Sequence, residues 1–294
     1  MASTNDWLEG ARVRTLPASL APVILATGIT LGEGSFSWVR TLLAALVALF
    51  LQIGVNFAND YSDGIRGTDA ERTGPTRLTG SGLVAPRTVK FTAFGFFAMA
   101  AVAGLALVAI SGHWWLIAVG AAAIVAAWFY TGGTHPYGYA GWGEVFVMVF
   151  FGWVATVGTV YTQSNVAYWY TWVAGTGIGF IACALLMVNN LRDIPTDAAS
   201  GKKTLAVRLG DSAARWAFIL LLLGALLAAA ALVSVGGLYL SACLIVLLIG
   251  YIIVIKPVQL GAQGAELIPV LRNTGLFELA YAVLIAVSIA LAQR

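Results

Sequence analysis

A chain of 294 residues that is 60% apolar and 10% charged, with a mean hydropathy of +0.88, excludes an ordinary soluble domain, in which about a quarter of residues are charged. The net charge of +3 does not point to nucleic acid, because where the charges sit matters more than their sum. Cys183 and Cys243 both lie inside apolar stretches, which excludes a disulfide or thiolate–metal framework and makes them core filler.

The first ten residues contain no Lys or Arg and no apolar run begins before Leu16, so no cleavable signal peptide is expected. Spans of ~20 apolar residues cross the hydrocarbon. On that rule they are expected at Leu16–Leu31, Trp38–Ala58, Val89–Ile110, Trp114–Tyr130 and Glu144–Tyr161. Four more follow at Tyr168–Val188, Ala213–Val235, Leu238–Ile255 and Gly275–Ala292. The stretches are joined too tightly for separate cores. The expected fold is therefore one domain over residues 1–294, an all-α polytopic bundle of about nine transmembrane helices.

With the N-terminus inside, the 16 Lys and Arg residues all fall on the cytoplasmic side except Arg40 and Arg294. That bias is what the positive-inside rule requires, and an odd span count puts the C-terminus outside. The outer connections are short and nearly uncharged, whereas the inner ones are long, polar and Gly-rich, so the active site is expected on the cytoplasmic side of a cell membrane.

Two copies of Asn-x-x-x-Asp, Asn59–Asp63 and Asn189–Asp193, each sit where an apolar stretch ends. Four expected spans separate them, so both emerge on the same face. A carboxylate at membrane depth costs about 3 kcal/mol and persists mainly where it binds something. Residues four apart share a helical face, so Asn59 and Asp63 reach a common ligand. Gly64 and Gly67 are expected to turn the backbone so that Asp69 swings back to the site. Asp60 is a further candidate metal ligand of this run, offset round the helix from Asp63. In the second copy Pro195 disfavours helix at Ile194, so the helix should end or kink just past Asp193, with Asp197 following. Clustered carboxylate and amide oxygens suit Mg²⁺, which usually also takes phosphate oxygens. Two histidines and two buried cysteines exclude a zinc or iron site.

Basic residues follow each copy. Arg77, Lys202 and Lys203 would complete the charge balance around a metal-bound diphosphate, with Arg72 and Arg192 as further candidates. Positive-inside topology and lipid headgroups are the alternative for these cations. Between the copies, Tyr130–Glu144 is an aromatic, Gly-rich loop. Its Tyr130, Tyr137 and Tyr139 either line a pocket for a planar substrate and shield a cation, or anchor the chain at the interface. Glu144 heads the next span as an extra acid. His135 is a lone loop histidine, a type that more often does nothing chemical than act as a base.

These residues resemble the UbiA superfamily of intramembrane prenyltransferases, whose two aspartate-rich motifs follow the second and sixth of nine helices. The similarity runs from Arg14-Thr-Leu-Pro17 to Arg272-Asn273. Within it the chain is most similar to the 1,4-dihydroxy-2-naphthoate polyprenyltransferases of menaquinone synthesis. The features are Asn59-x-x-x-Asp63-x-x-x-Gly67-x-Asp69, Arg72-Thr-Gly-Pro75 with Arg77-Leu, Ser81-Gly-Leu-Val84 and Tyr130-Thr-Gly-Gly133. In the 4-hydroxybenzoate branch the last acid of the first motif usually stands where this chain has Gly67. Thr134-His135 departs from the Pro-containing pair common in relatives.

The resemblance implies Mg²⁺-dependent transfer of a polyprenyl group from polyprenyl diphosphate to 1,4-dihydroxy-2-naphthoate, with loss of CO₂, giving demethylmenaquinol. It implies Asp63, Asp69, Asp193 and Asp197 on Mg²⁺, Asn59 and Asn189 in support, and Arg77, Lys202 and Lys203 on the diphosphate. The partners would be these substrates and membrane lipid. The rival readings are another acceptor for the same chemistry and, from a different class, a divalent-cation or anion transporter. Against the transporter, the acids crowd one interface and no polar ladder continues to the other.

Overall fold

The computed structural model describes residues 2–68 and 77–293, and it is all-α. Asp69 and Arg72 lie outside the described residues. In chain order the helices are α1 (Thr4–Ala11), α2 (Leu16–Gly32), α3 (Trp38–Arg66), α4 (Pro86–Ser111), α5 (Leu116–Phe129) and α6 (Gly143–Ser164). Then come α7 (Trp169–Arg192), the short α8 (Ile194–Ala199), α9 (Leu205–Ala231), α10 (Val233–Gln259) and α11 (Gly264–Ala292). Among the described residues, 7 helices are long and apolar enough to cross a membrane, and 8 spans result if α1 and α2, bent by 50°, count as one. The chain is a polytopic membrane bundle. The apolar stretch expected at Trp114–Tyr130 forms a helix of only 14 residues, α5.

Local chemistry sets the helix ends that matter. Ser37 caps α3 by accepting from the Arg40 amide, and Gly67, at φ +72°, closes its other end. Asn59 to Asp63 is thus helical throughout, and of the two glycines only Gly67 leaves the helix. Gly64 stays in the helix for a different reason: a Cβ there would lie 2.4 Å from the Thr79 side chain. It admits the 77–82 turn against α3. At the second motif Pro195 behaves as expected: α7 stops at Arg192, and Asp193 is the junction to α8.

Small residues bring the membrane helices close. A Cβ on Gly28 of α2 would meet the Ala286 backbone of α11 at 2.2 Å, and one on Gly152 would lie 2.8 Å from the Gly175 carbonyl of α7. Around Gly152, residues Met148–Val154 of α6 form a π-helical turn, an irregularity concentrated at functional sites. The larger buried cluster joins α2, α7, α9, α10 and α11 through residues such as Leu25, Ile178, Phe218, Leu247 and Tyr281. A smaller one packs α3 against α4 through Phe57, Ala93 and Phe97. Where α3–α6 face α2, α7 and α11, a chamber of about 610 Å³ remains.

Candidate active site

One end of the chamber is polar and carries both motifs: Asn59, Asp63, Asn189, Asp193 and Asp197 all line it. The other end is apolar, walled by Val47, Leu51, Leu105, Val108, Phe150 and Val154 among others. Periodicity explains why Asn59 and Asp63 line it together, since they stand on the same face of α3.

Asp63 is 4% exposed and has a cation and a phenol beside it. Lys202 Nζ lies 3.3 Å from Asp63 Oδ2 and 3.9 Å from Asp197 Oδ1, so one ammonium bridges the two motifs. The Tyr139 hydroxyl donates to Asp63 Oδ1, and Lys202 Nζ stands 4.8 Å from the centre of the Tyr139 ring. Burial and the neighbouring Asp63 charge push the Tyr139 hydroxyl above its ordinary range, which keeps it a donor. The Tyr139 carbonyl also accepts from the Lys203 amide at 2.9 Å, tying the middle loop to the segment after α8. Tyr139 thereby joins elements that the sequence separates widely.

Asp193 is neutralised from within its own motif. Arg192 donates to both its oxygens, at 2.7 and 2.6 Å, and to Asn189 Oδ1 at 3.0 Å. Arg192 is 6% exposed and does not line the chamber, so it orients Asp193 and Asn189 instead of meeting substrate as expected. Asn59 Oδ1 accepts from the Thr131 hydroxyl at 2.8 Å, fixing its amide against the middle loop.

Asp60 departs from the expected metal set. It is fully buried, and its two oxygens accept from the Leu78 and Thr79 amides at 2.9 and 2.8 Å. It builds the turn that presents Arg77, which does line the chamber. Lys203, read as a partner of Lys202, is exposed and outside the lining. Glu144 also departs from expectation. It lies on a second cavity with Cys183, Met187 and Trp153, because the start of α6 turns it away from the main chamber. His135 is exposed and contacts Thr134.

Tyr130 and Tyr137 line the chamber as an aromatic pair with ring centres 5.5 Å apart. The Tyr137 hydroxyl is turned to the Ala126 carbonyl at 2.9 Å, and its ring stacks on Phe146. Both offer ring surface. Sequence reasoning missed Arg66, which donates to the Thr131 and Gly133 carbonyls and so holds the middle loop beside the first motif. Its signal was its place in the last turn of that motif's helix. It also missed Arg12, Gln52, Asn56, Asn190 and Glu278 on the chamber wall. A polar residue inside an apolar stretch was the signal for Gln52 and Glu278.

Among the described residues, no three acidic, imidazole or thiol groups are grouped to hold a metal by themselves. Mg²⁺ does not need such a cage: it is usually held by one or two carboxylates with substrate phosphates and water. Hard oxygens from both motifs at one end of the chamber, with the Lys202 ammonium lying between two of the carboxylates, fit a cation bound together with a phosphorylated ligand.

A membrane bundle whose paired aspartate motifs guard the mouth of an apolar chamber defines a class of intramembrane transferase. Residues 19–266 match the UbiA prenyltransferase family, and the chain belongs to that family. It is 49% identical over 296 residues to the 1,4-dihydroxy-2-naphthoate octaprenyltransferase of Mycobacterium tuberculosis (strain ATCC 25618 / H37Rv), covering 100% of this chain and 99% of that protein. The Escherichia coli (strain K12) enzyme of the same description is 38% identical over 232 residues, covering 77% and 75%. The fold matches the apo structure of a UbiA homolog from Aeropyrum pernix K1 with a TM-score of 0.71 at 15% identity, covering 93% of this chain and 97% of that one. It also matches a UbiA homolog from Archaeoglobus fulgidus bound to DMAPP and Mg²⁺, with a TM-score of 0.65 at 14% identity, covering 97% and 99%.

Proposed function

We propose that this chain transfers a polyprenyl group from polyprenyl diphosphate to 1,4-dihydroxy-2-naphthoate, releasing diphosphate and CO₂ and giving demethylmenaquinol. The observation that carries the reading is the two-ended chamber, polar where both motifs meet and mainly apolar beyond. An isoprenoid diphosphate has the same polarity along its length. Relatives described by this activity match the chain essentially end to end.

Asp63, Asp193 and Asp197 would hold Mg²⁺, with Asn59 and Asn189 in support and Asp69 as the remaining acid of the first motif. Bound Mg²⁺ would supply positive charge to the diphosphate oxygens. Lys202 and Arg77 stabilise the charge that builds on the diphosphate as the allylic C–O bond breaks, the electrostatic contribution that usually dominates such transfers. Tyr139 keeps Asp63 and Lys202 in register. The aromatic surfaces of Tyr130 and Tyr137 take the flat acceptor, and the apolar walls keep water from the carbocation-like carbon. The electron-rich ring attacks that carbon, and its carboxylate leaves as CO₂.

The same reading makes residues 1–294 one domain with nine spans in a cell membrane, N-terminus and active site cytoplasmic and C-terminus outside. The charge asymmetry supports it. At 14 residues, α5 would be the thin ninth span, roughly 21 Å of helix. Single cysteines placed in 77–88 and 198–211, in a background lacking Cys183 and Cys243, are expected to label from the cytoplasm only. Labelling of the two loops from opposite sides refutes this topology. For the activity, the test is competition between 1,4-dihydroxy-2-naphthoate and 4-hydroxybenzoate at equal concentration with one polyprenyl diphosphate, read by product mass. A win for 4-hydroxybenzoate would overturn the acceptor.

A further inference from the structure

Glu278 lies in the middle of α11, is 0% exposed, and lines the chamber on the same helical face as Leu271. Neither of its carboxyl oxygens has a hydrogen-bond partner among the described residues. A buried carboxyl left unpaired inside a membrane bundle costs several kcal/mol and persists mainly where something binds it. Gln52, on α3, likewise lines the chamber, and its Oε1 has no partner among the described residues. The chamber therefore holds buried acceptor oxygens on two of its walls.

A prenyl chain has no hydrogen to donate, and the diphosphate belongs with Lys202 and Arg77 at the polar end of the chamber. Of the substrates in the proposed reaction, on which this inference rests, only the aromatic acceptor carries neutral O–H donors. We infer that Glu278 is an acceptor-binding residue, its carboxyl accepting a hydrogen bond from a ring hydroxyl of the aromatic substrate. The ring is thereby held by its oxygen while Tyr130 and Tyr137 meet its faces. A site built to hydrogen-bond a hydroxyl discriminates strongly against analogues that lack it, because the buried partner is then left unpaired.

The test uses the full-length enzyme, purified and reconstituted, with Glu278→Met and Glu278→Gln. The Glu278→Met variant is expected to raise KM and Kd for the acceptor about tenfold, or ~1.4 kcal/mol. Its KM for polyprenyl diphosphate should stay within about twofold of wild type, a split that general distortion of the chamber would not give. The Glu278→Gln variant keeps a carbonyl of the same shape and should lose only about threefold. Acceptors lacking one ring hydroxyl should bind wild type more weakly than the parent acceptor does, and Glu278→Met equally well. An unchanged acceptor KM in a folded Glu278→Met, or an equal rise in both KM values, overturns the inference. If that variant does not fold, the comparison of parent and dehydroxylated acceptors on Glu278→Gln decides: the loss per hydroxyl must shrink. Wild-type turnover judges the proposed reaction separately, and whichever hydroxylated acceptor wild type accepts is the one used for the variants.

Discussion

The two Asn-x-x-x-Asp copies look equivalent in the chain and are not equivalent in space. Asp193 receives both donors of a bidentate pair from Arg192, the residue immediately before it. Asp63 receives its partners from afar, Tyr139 from the middle loop and Lys202 from beyond α8. The second copy is preassembled by local chain geometry, whereas the first is completed only when three separate segments meet. A repeated motif thus supplies the same donor atoms with different tethers. The tether decides whether a substitution damages folding or chemistry.

The largest expected effect is common to both copies. Asp63→Asn and Asp193→Asn should each lower prenyl transfer by ~10³-fold, about 4 kcal/mol of barrier, in protein that still inserts. Near-normal turnover by either purified variant would mean that only one copy serves the reaction. Arg192→Gln sharpens the contrast. It removes the bidentate partner of a buried carboxylate, side chain 8% exposed, and should cost about 3 kcal/mol of stability, seen as a lowered thermal midpoint. Lys202→Met should lower the midpoint less, because its ammonium stands at 3.3 and 3.9 Å and the Tyr139 hydroxyl still donates to Asp63. It should nevertheless slow transfer by roughly 10²-fold, because its charge is needed as the diphosphate leaves. If Lys202→Met unfolds the protein and Arg192→Gln does not, the contrast is inverted. Asp60→Ala removes the acceptor of two buried amides and should cost ~1–3 kcal/mol, with transfer falling as the Arg77 turn loosens. The smallest effect belongs to Lys203→Ala. Its side chain is exposed outside the chamber, so turnover should stay within about twofold of wild type, an expected outcome for a surface change.

Composition and periodicity were enough to determine an all-α membrane bundle, because the bilayer demands long apolar helices whose backbone groups are satisfied internally. Four-residue spacing put Asn59 beside Asp63, and Pro195 ended α7 where expected, since both effects are local. The cations and acids were harder. Asp60 and Asp63 are three residues apart on one helix. Only the return of the 77–82 turn makes the first a structural acceptor while the second faces the chamber. Lys202 and Lys203 are adjacent, but the pairing of the Lys203 amide with the Tyr139 carbonyl leaves one side chain inside and the other out. Glu278 is a single polar letter in a long apolar run, and the fold alone reveals that its helix turns it into the chamber. Local sequence dictates which face of a helix a residue occupies. What that face meets depends on packing between segments far apart in the chain, and no local pattern encodes it.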